Sequence, residues 1–170
     1  TSIGAVGQFQ TTIEGPEGLV QVLSHGVTIF ATGGREAQTT SFGYGTSPSI
    51  ITQKELEQKL ADGTLDPRQL NSVVMIQCVG CRNEERNYCS RVCCSEAIKN
   101  ALKLKAFNPE MDVTIAFRDM RTYGFNEAYY REASEKEIRF IRWSPENPPT
   151  VSATKVSGRS VLRVGITDPI

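Results

Sequence analysis

The chain has 170 residues, 39% of them hydrophobic, enough to bury one full core or two small ones. Its 19 basic residues balance 19 acidic ones, so no bulk field draws it toward nucleic acid or anionic lipid, and neither is expected as a partner. No apolar run nears the roughly 20 residues that span a bilayer, and no signal sequence opens the chain. Direct membrane insertion is therefore not expected, and a cytoplasmic protein, at most peripheral to a membrane complex, is. The start at Thr1 without Met, and the end at Asp168-Pro-Ile170 just after a strand-like run, read as an excised piece of a longer polypeptide.

Up to about Phe30 the signals are short β segments punctuated by glycine. Gln8 to Ile13 alternates, Glu14 to Gly18 is a turn, and Gly26-Val-Thr-Ile-Phe-Ala31 reads as one buried strand fed by a small meander. That run ends in Thr32-Gly33-Gly34, where glycines permit a sharp turn or a close backbone approach. Arg35 to Ser49 is an aperiodic loop. Thr52 with Glu55 forms a capping-box pattern for a helix ending near Asp62-Gly63. Ser72 to Gln77 is a continuous apolar run of the kind buried on both sheet faces. Ser90 to about Phe107 suits a helix, Asp112 to Phe117 a strand, Asn126 to Lys136 a short helix and Ile138 to Trp143 a strand. This alternation is the pattern of a parallel α/β unit. Pro145 and Pro148-Pro149 break it, and Val151 to Ile166 reads as a hairpin turning near Ser157-Gly158-Arg159.

All five cysteines, Cys78, Cys81, Cys89, Cys93 and Cys94, fall within 17 consecutive positions between an apolar strand and a helix. A disulfide framework spreads its cysteines to join distant loops, so crowding points to metal or cluster ligation or to redox chemistry. The strand-to-helix turn is where a dinucleotide fold carries G-x-G-x-x-G, and only Gly80 has a counterpart here, which argues against a nicotinamide dinucleotide at this turn. Free amides and the positive helix end favour thiolates in the same place. Cys89 and Cys93, four apart, would share a helix face, with Cys78 arriving from the strand end. Ten residues separate Cys78 from Cys89 and three separate Cys89 from the Cys93-Cys94 pair. That spacing matches neither the usual zinc arms nor the ferredoxin run, and leaves an iron–sulfur cluster, zinc, thiol redox chemistry and plain structural cysteines all open.

The segments Val74-Met-Ile-Gln-Cys-Val-Gly80, Tyr88-Cys-Ser-Arg-Val-Cys-Cys94, Ala97-Ile-Lys, Arg118-Asp-Met-Arg-Thr-Tyr-Gly124, Tyr129-Tyr-Arg-Glu-Ala133 and Arg139-Phe-Ile-Arg142 resemble the A subunit of heterodisulfide reductase and its counterparts in quinone-interacting oxidoreductase complexes. The resemblance runs from about Ala31 to Trp143. It implies an iron–sulfur flavoprotein with a thioredoxin-reductase-like core, a [4Fe–4S] cluster on Cys78, Cys89, Cys93 and Cys94, and FAD beside Ala31, Thr32, Gly33 and Gly34. Cys81 stands where the family is expected to have serine, and is a possible alternative ligand. The implied fold is α/β. Residues 1–66 would be a partial β meander and linker bordering the FAD domain, and residues 67–170 a Rossmann-like parallel βαβ lobe of a two-dinucleotide-domain flavoprotein. The family's flavin fingerprint is missing from the chain, so FAD would be held mostly by other segments and the isolated chain would be inactive. Implied partners are other subunits of a redox complex and ferredoxin-like or iron–sulfur proteins. A structural zinc module, and a metal-free interaction domain with a degenerate nucleotide fold, are the competing readings. Arg118, Asp119 and Arg121 read as a solvated or docking loop, Tyr123, Tyr129, Tyr130 and Trp143 as packing residues, and His25, the one histidine, as structural.

Overall fold

A computed structural model describes residues 1–156 and 158–168, with the backbone alone of Arg159. The chain divides into two compact units, Thr1–Glu36 and Ala37–Ile170.

The first unit is the expected meander: strands β1 (Ser2–Ala5), β2 (Gln8–Glu14) and β3 (Val20–His25) pair antiparallel in that order. Gly7, at φ +91°, makes the tight β1–β2 turn, a conformation costly for any side chain. His25 is structural, as expected: its ring stacks on Phe9, and its nitrogens meet Thr11 Oγ1 at 2.7 Å and the Val27 carbonyl at 2.9 Å. The strand expected over Gly26 to Ala31 does not form. Phe9 pairs with His25 one residue from the start of β2, so the chain beyond His25 has run off the end of its partner. Val27, Ile29 and Phe30 are exposed as a result.

In the second unit, helix α1 (Gln53–Ala61) opens with the anticipated capping box, Thr52 accepting from the Glu55 amide and Glu55 accepting from that of Thr52. Then follow β4 (Ser72–Ile76), α2 (Val92–Phe107), β5 (Asp112–Phe117), α3 (Glu127–Glu135) and β6 (Arg139–Arg142). The three strands make a parallel sheet in the order β4-β5-β6. A mixed α/β unit with helices flanking a parallel sheet is compatible with a Rossmann-like lobe. The last elements, β7 (Thr150–Val156) and β8 (Arg159–Gly165), form the expected hairpin; Ser157 of its turn lies outside the described residues.

The sequence expectation for β4 needs correction. It is an edge strand, with Ser72 and Val74 exposed, while β5 lies between two neighbours and is buried from Val113 to Phe117. An apolar run reports hydrophobicity, and strand order decides which run is covered on both sides. Alternation along the strands separates two cores. Met75, Val113, Ile115 and Ile138 pack with Ala97, Ile98, Ala101 and Leu104 of α2. The intervening residues Ile76 and Ala116 pack instead with Cys78, Cys81, Trp143 and Ile166. Among the described residues no helix is long and apolar enough to cross a membrane.

Candidate functional site

The sheet ladders continue one residue past the C-terminal ends of the strands, where Gln77 N–H donates to the Ala116 carbonyl and Trp143 N–H to that of Phe117, both at 2.8 Å. Cys78 is the next residue after Gln77. Its φ of +65° throws the chain out of the strand direction, and Arg82 and Arg91 are also left-handed, at +58° and +65°. A non-glycine residue in this region costs about 1–3 kcal/mol, and three of them bound one short loop.

The loop delivers Cys93 and Cys94 to the second and third positions of α2, whose amides have no partner within the helix. Arg91 is the N-cap and makes no capping bond; its Nη1 donates to Tyr123 Oη at 2.5 Å. Because the helix starts only at Val92, Cys89 precedes it and does not share a helical face with Cys93 as the spacing suggests. Its sulfur instead accepts the Arg91 amide at 3.3 Å.

All five sulfurs are free thiols, with Cys78 and Cys94 buried and the others half-buried. They sense one another. Cys93 is pushed well above the ordinary thiol range because it donates its S–H to Cys94, because it is buried, and because Cys94, Cys78 and Cys89 stand close enough to oppose its ionisation. Cys94 is correspondingly lowered to about 6, through Cys93 first and then, against burial, the amide and charge of Arg121. Burial raises Cys81 first, and Cys78 and Cys89 raise it further. Among the described residues no three cysteine, histidine or acidic side chains are arranged to hold a metal ion.

Around the sulfurs, where the sequence pattern predicts a solvated loop, lies an arginine frame. Asp119 binds Arg82 at 2.5 Å, Arg142 at 3.7 Å and Arg121 at 4.0 Å. Its carbonyl oxygen lies 3.8 Å from Cys94 Sγ. Arg118 donates to the Arg82 carbonyl at 3.0 Å and sets its guanidinium 5.7 Å from the Trp143 ring centre. Aligning the ends of the parallel strands would have found this frame, since Arg118 directly follows β5 and Trp143 directly follows β6, as Gln77 and Cys78 follow β4. Along the outer side of α2, toward α3, a groove of about 800 Å³ is lined by Ser90, Val92, Lys99, Leu102, Tyr129 and Glu132 among others.

The other expected site, Ala31, Thr32, Gly33 and Gly34, is exposed in the first unit. Gly33 has φ +66°, and neither glycine has any atom within 4 Å of where a Cβ would stand. This segment forms no cradle of its own.

No family model matches the chain. A strained strand-to-helix loop that gathers five thiols at the edge of a parallel sheet defines an α/β segment with a thiol-rich site. Sequence comparison gives it kin. The chain is 33% identical to the A subunit of the ferredoxin:CoB-CoM heterodisulfide reductase of Methanosarcina acetivorans, over 72% of this chain and 20% of that protein. It is 36% identical to the iron-sulfur A subunit of the CoB–CoM heterodisulfide reductase of Methanocaldococcus jannaschii, over 75% of this chain and 22% of the relative. It is 38% identical to the A subunit of the H(2):CoB-CoM heterodisulfide,ferredoxin reductase of Methanothermobacter marburgensis, over 72% and 22%. The chain is thus a relative of the heterodisulfide reductase A subunits, corresponding to one segment of them, and spans about a fifth of the length of these curated relatives.

Proposed function

We propose that this chain is the segment of an iron–sulfur oxidoreductase in which Cys78, Cys89, Cys93 and Cys94 hold a [4Fe–4S] cluster, with Cys81 the alternative ligand. The observation that carries the reading is the placement of all four cysteines on the one strained loop that joins β4 to the start of α2, with Cys89 taking the Arg91 amide and Cys94 meeting the Asp119 carbonyl. The donor chemistry suits a cluster: four soft sulfurs on one loop, two of them on residues at the first turn of α2 where the backbone amides are free, one sulfur taking the Arg91 amide, and arginines nearby to balance thiolate charge. A cluster bound there would supply one-electron transfer. The chain's own part is to fix the ligands, exclude water around Cys78 and Cys94, and offset the negative charge. The relatives' names support a place in a redox complex, with other subunits and ferredoxin-like or iron–sulfur proteins as partners.

FAD enters through the family resemblance. With Ala31 to Gly34 exposed and open, its contacts would come mainly from segments outside these 170 residues.

Anaerobic reconstitution of the chain with iron and sulfide tests the reading. The expected result is about four iron and four sulfide per chain and a paramagnetic signal on reduction. Cys78→Ala and Cys93→Ala should each abolish most of both. Zinc without sulfide in the purified chain would establish the structural module instead, no metal uptake would leave the interaction domain, and loading unchanged in both variants would overturn the ligand set.

A further inference from the structure

Among the described residues, two buried side-chain donors have no acceptor: Arg82 Nη1 and Trp143 Nε1. Leaving a buried donor unpaired costs about 1–3 kcal/mol, so each such group calls for a physical explanation. Both lie at the Cys78 end of the site. Trp143 is 7% exposed and packs with Cys78 and Ala116 in one small cluster on the sheet face away from α2. The Arg82 cation is disfavoured by burial, but Asp119 and then the Cys78 sulfur beside it more than compensate.

Neither group is free to turn elsewhere. Trp143 is pinned by its backbone bond to Phe117, by the edge of Phe42 at 6.4 Å between ring centres and by Arg118 on its ring. Arg82 is held at its other terminal nitrogen by Asp119 and through its carbonyl by Arg118. One arginine therefore ties both donors to the same frame. Rigid unpaired donors beside a sulfur ligand are what an anionic sulfur acceptor requires, because hydrogen bonds and positive charge stabilise the reduced, more negative state of such a group.

We propose that Trp143 and Arg82 are positioning residues for the sulfur site, their free N–H groups being donors to the sulfurs of a cluster held at Cys78 and raising its reduction potential. The proposal rests on the cluster reading above and goes beyond it by assigning two residues outside the ligand set.

The test uses Trp143→Phe, which keeps an aromatic ring and loses the donor, and Arg82→Gln, which loses the charge. Each is reconstituted with iron and sulfide and titrated with dithionite while the paramagnetic signal is followed. Trp143→Phe should load as fully as the unsubstituted chain and Arg82→Gln less fully, because Arg82 also tethers the loop, and the cluster in each should reduce less readily. Trp143→Phe should lower the one-electron reduction equilibrium by about threefold to tenfold, tenfold reading as about 59 mV, and Arg82→Gln by at least as much. Trp143 is the only tryptophan, so its fluorescence gives a second readout: cluster loading of the unsubstituted chain should quench it strongly. Unchanged potentials in both loaded variants, or emission indifferent to loading, would overturn this assignment while leaving the cluster standing. Failure of the unsubstituted chain to take up iron with sulfide would overturn both.

Discussion

The two faces of the parallel sheet are built to different rules. Toward α2 the sheet is sealed by fully buried Ile98, Leu104, Val113 and Ile115. On the other face a small cluster of Cys78, Ala116 and Trp143 is bordered by left-handed residues, paired arginines and donors with nothing to bind. Close apolar packing is the source of fold stability, whereas strain and unsatisfied polarity are tolerated only where the surroundings enforce them. The helix-covered face therefore supplies the stability that the cysteine face draws upon.

The largest expected effect lies on the sealed face. Leu104→Ala opens a cavity at a fully buried position and should lower unfolding free energy by about 3 kcal/mol in a urea titration. Thiol labelling of the cysteine loop under native conditions should change little, because Leu104 does not touch it. If Leu104→Ala instead exposed the cysteines at once, the two faces would be one cooperative structure and the contrast would fail.

Asp119→Asn probes the cysteine face with a smaller loss. The substitution keeps side-chain volume and removes the charge shared by Arg82, Arg121 and Arg142. A charged hydrogen bond at a partly buried site contributes about 2 kcal/mol, and the loss should shrink as salt rises. Here labelling of Cys78 and Cys81 should accelerate, since the loop bearing them is tethered through Arg82. A variant as stable as the parent with unchanged labelling would show that the arginine frame is ornamental.

Local signals in the sequence carry far when the interactions are local too. The capping box at Thr52 and the helices expected over Ser90 to Phe107 and Asn126 to Lys136 become the expected elements because hydrogen bonds within a few residues decide them, and the alternation over Gln8 to Ile13 becomes a strand by pairing with its near neighbours in the chain. The failures concern partners distant in sequence. The run from Gly26 to Ala31 is as apolar as a strand, yet β2 has already spent its length on β3; β4 is apolar but lies at an edge. The cysteine site is legible as a stretch and its ligand-type residues can be named. Its frame is not, because Arg82 and Asp119 are 37 positions apart and Trp143 comes later still, and only parallel strand ends in register bring them together.

The smallest effect belongs to the outer surface of the sealed face, where α1 meets α2. Glu57 accepts Lys99 Nζ at 2.6 Å and Asn100 Nδ2 at 3.2 Å. The Lys99 bond lowers its pKa from the ordinary value of 4.5, burial opposing and Asn100 assisting. A carboxylate whose pKa is lowered by folding adds stability that is fully present above its unfolded value and is lost as pH falls through the lowered native one. Its side chain is 36% exposed, so solvent screening keeps the contribution near 0.5 kcal/mol. Glu57→Gln should therefore cost about that much at pH 7 and nothing at a pH below the native value, where both carry a neutral side chain. Urea midpoints measured across that acid window check the sign. A difference between the two proteins that grew on acidification would mean that Lys99 and Asn100 hold Glu57 by something other than its charge.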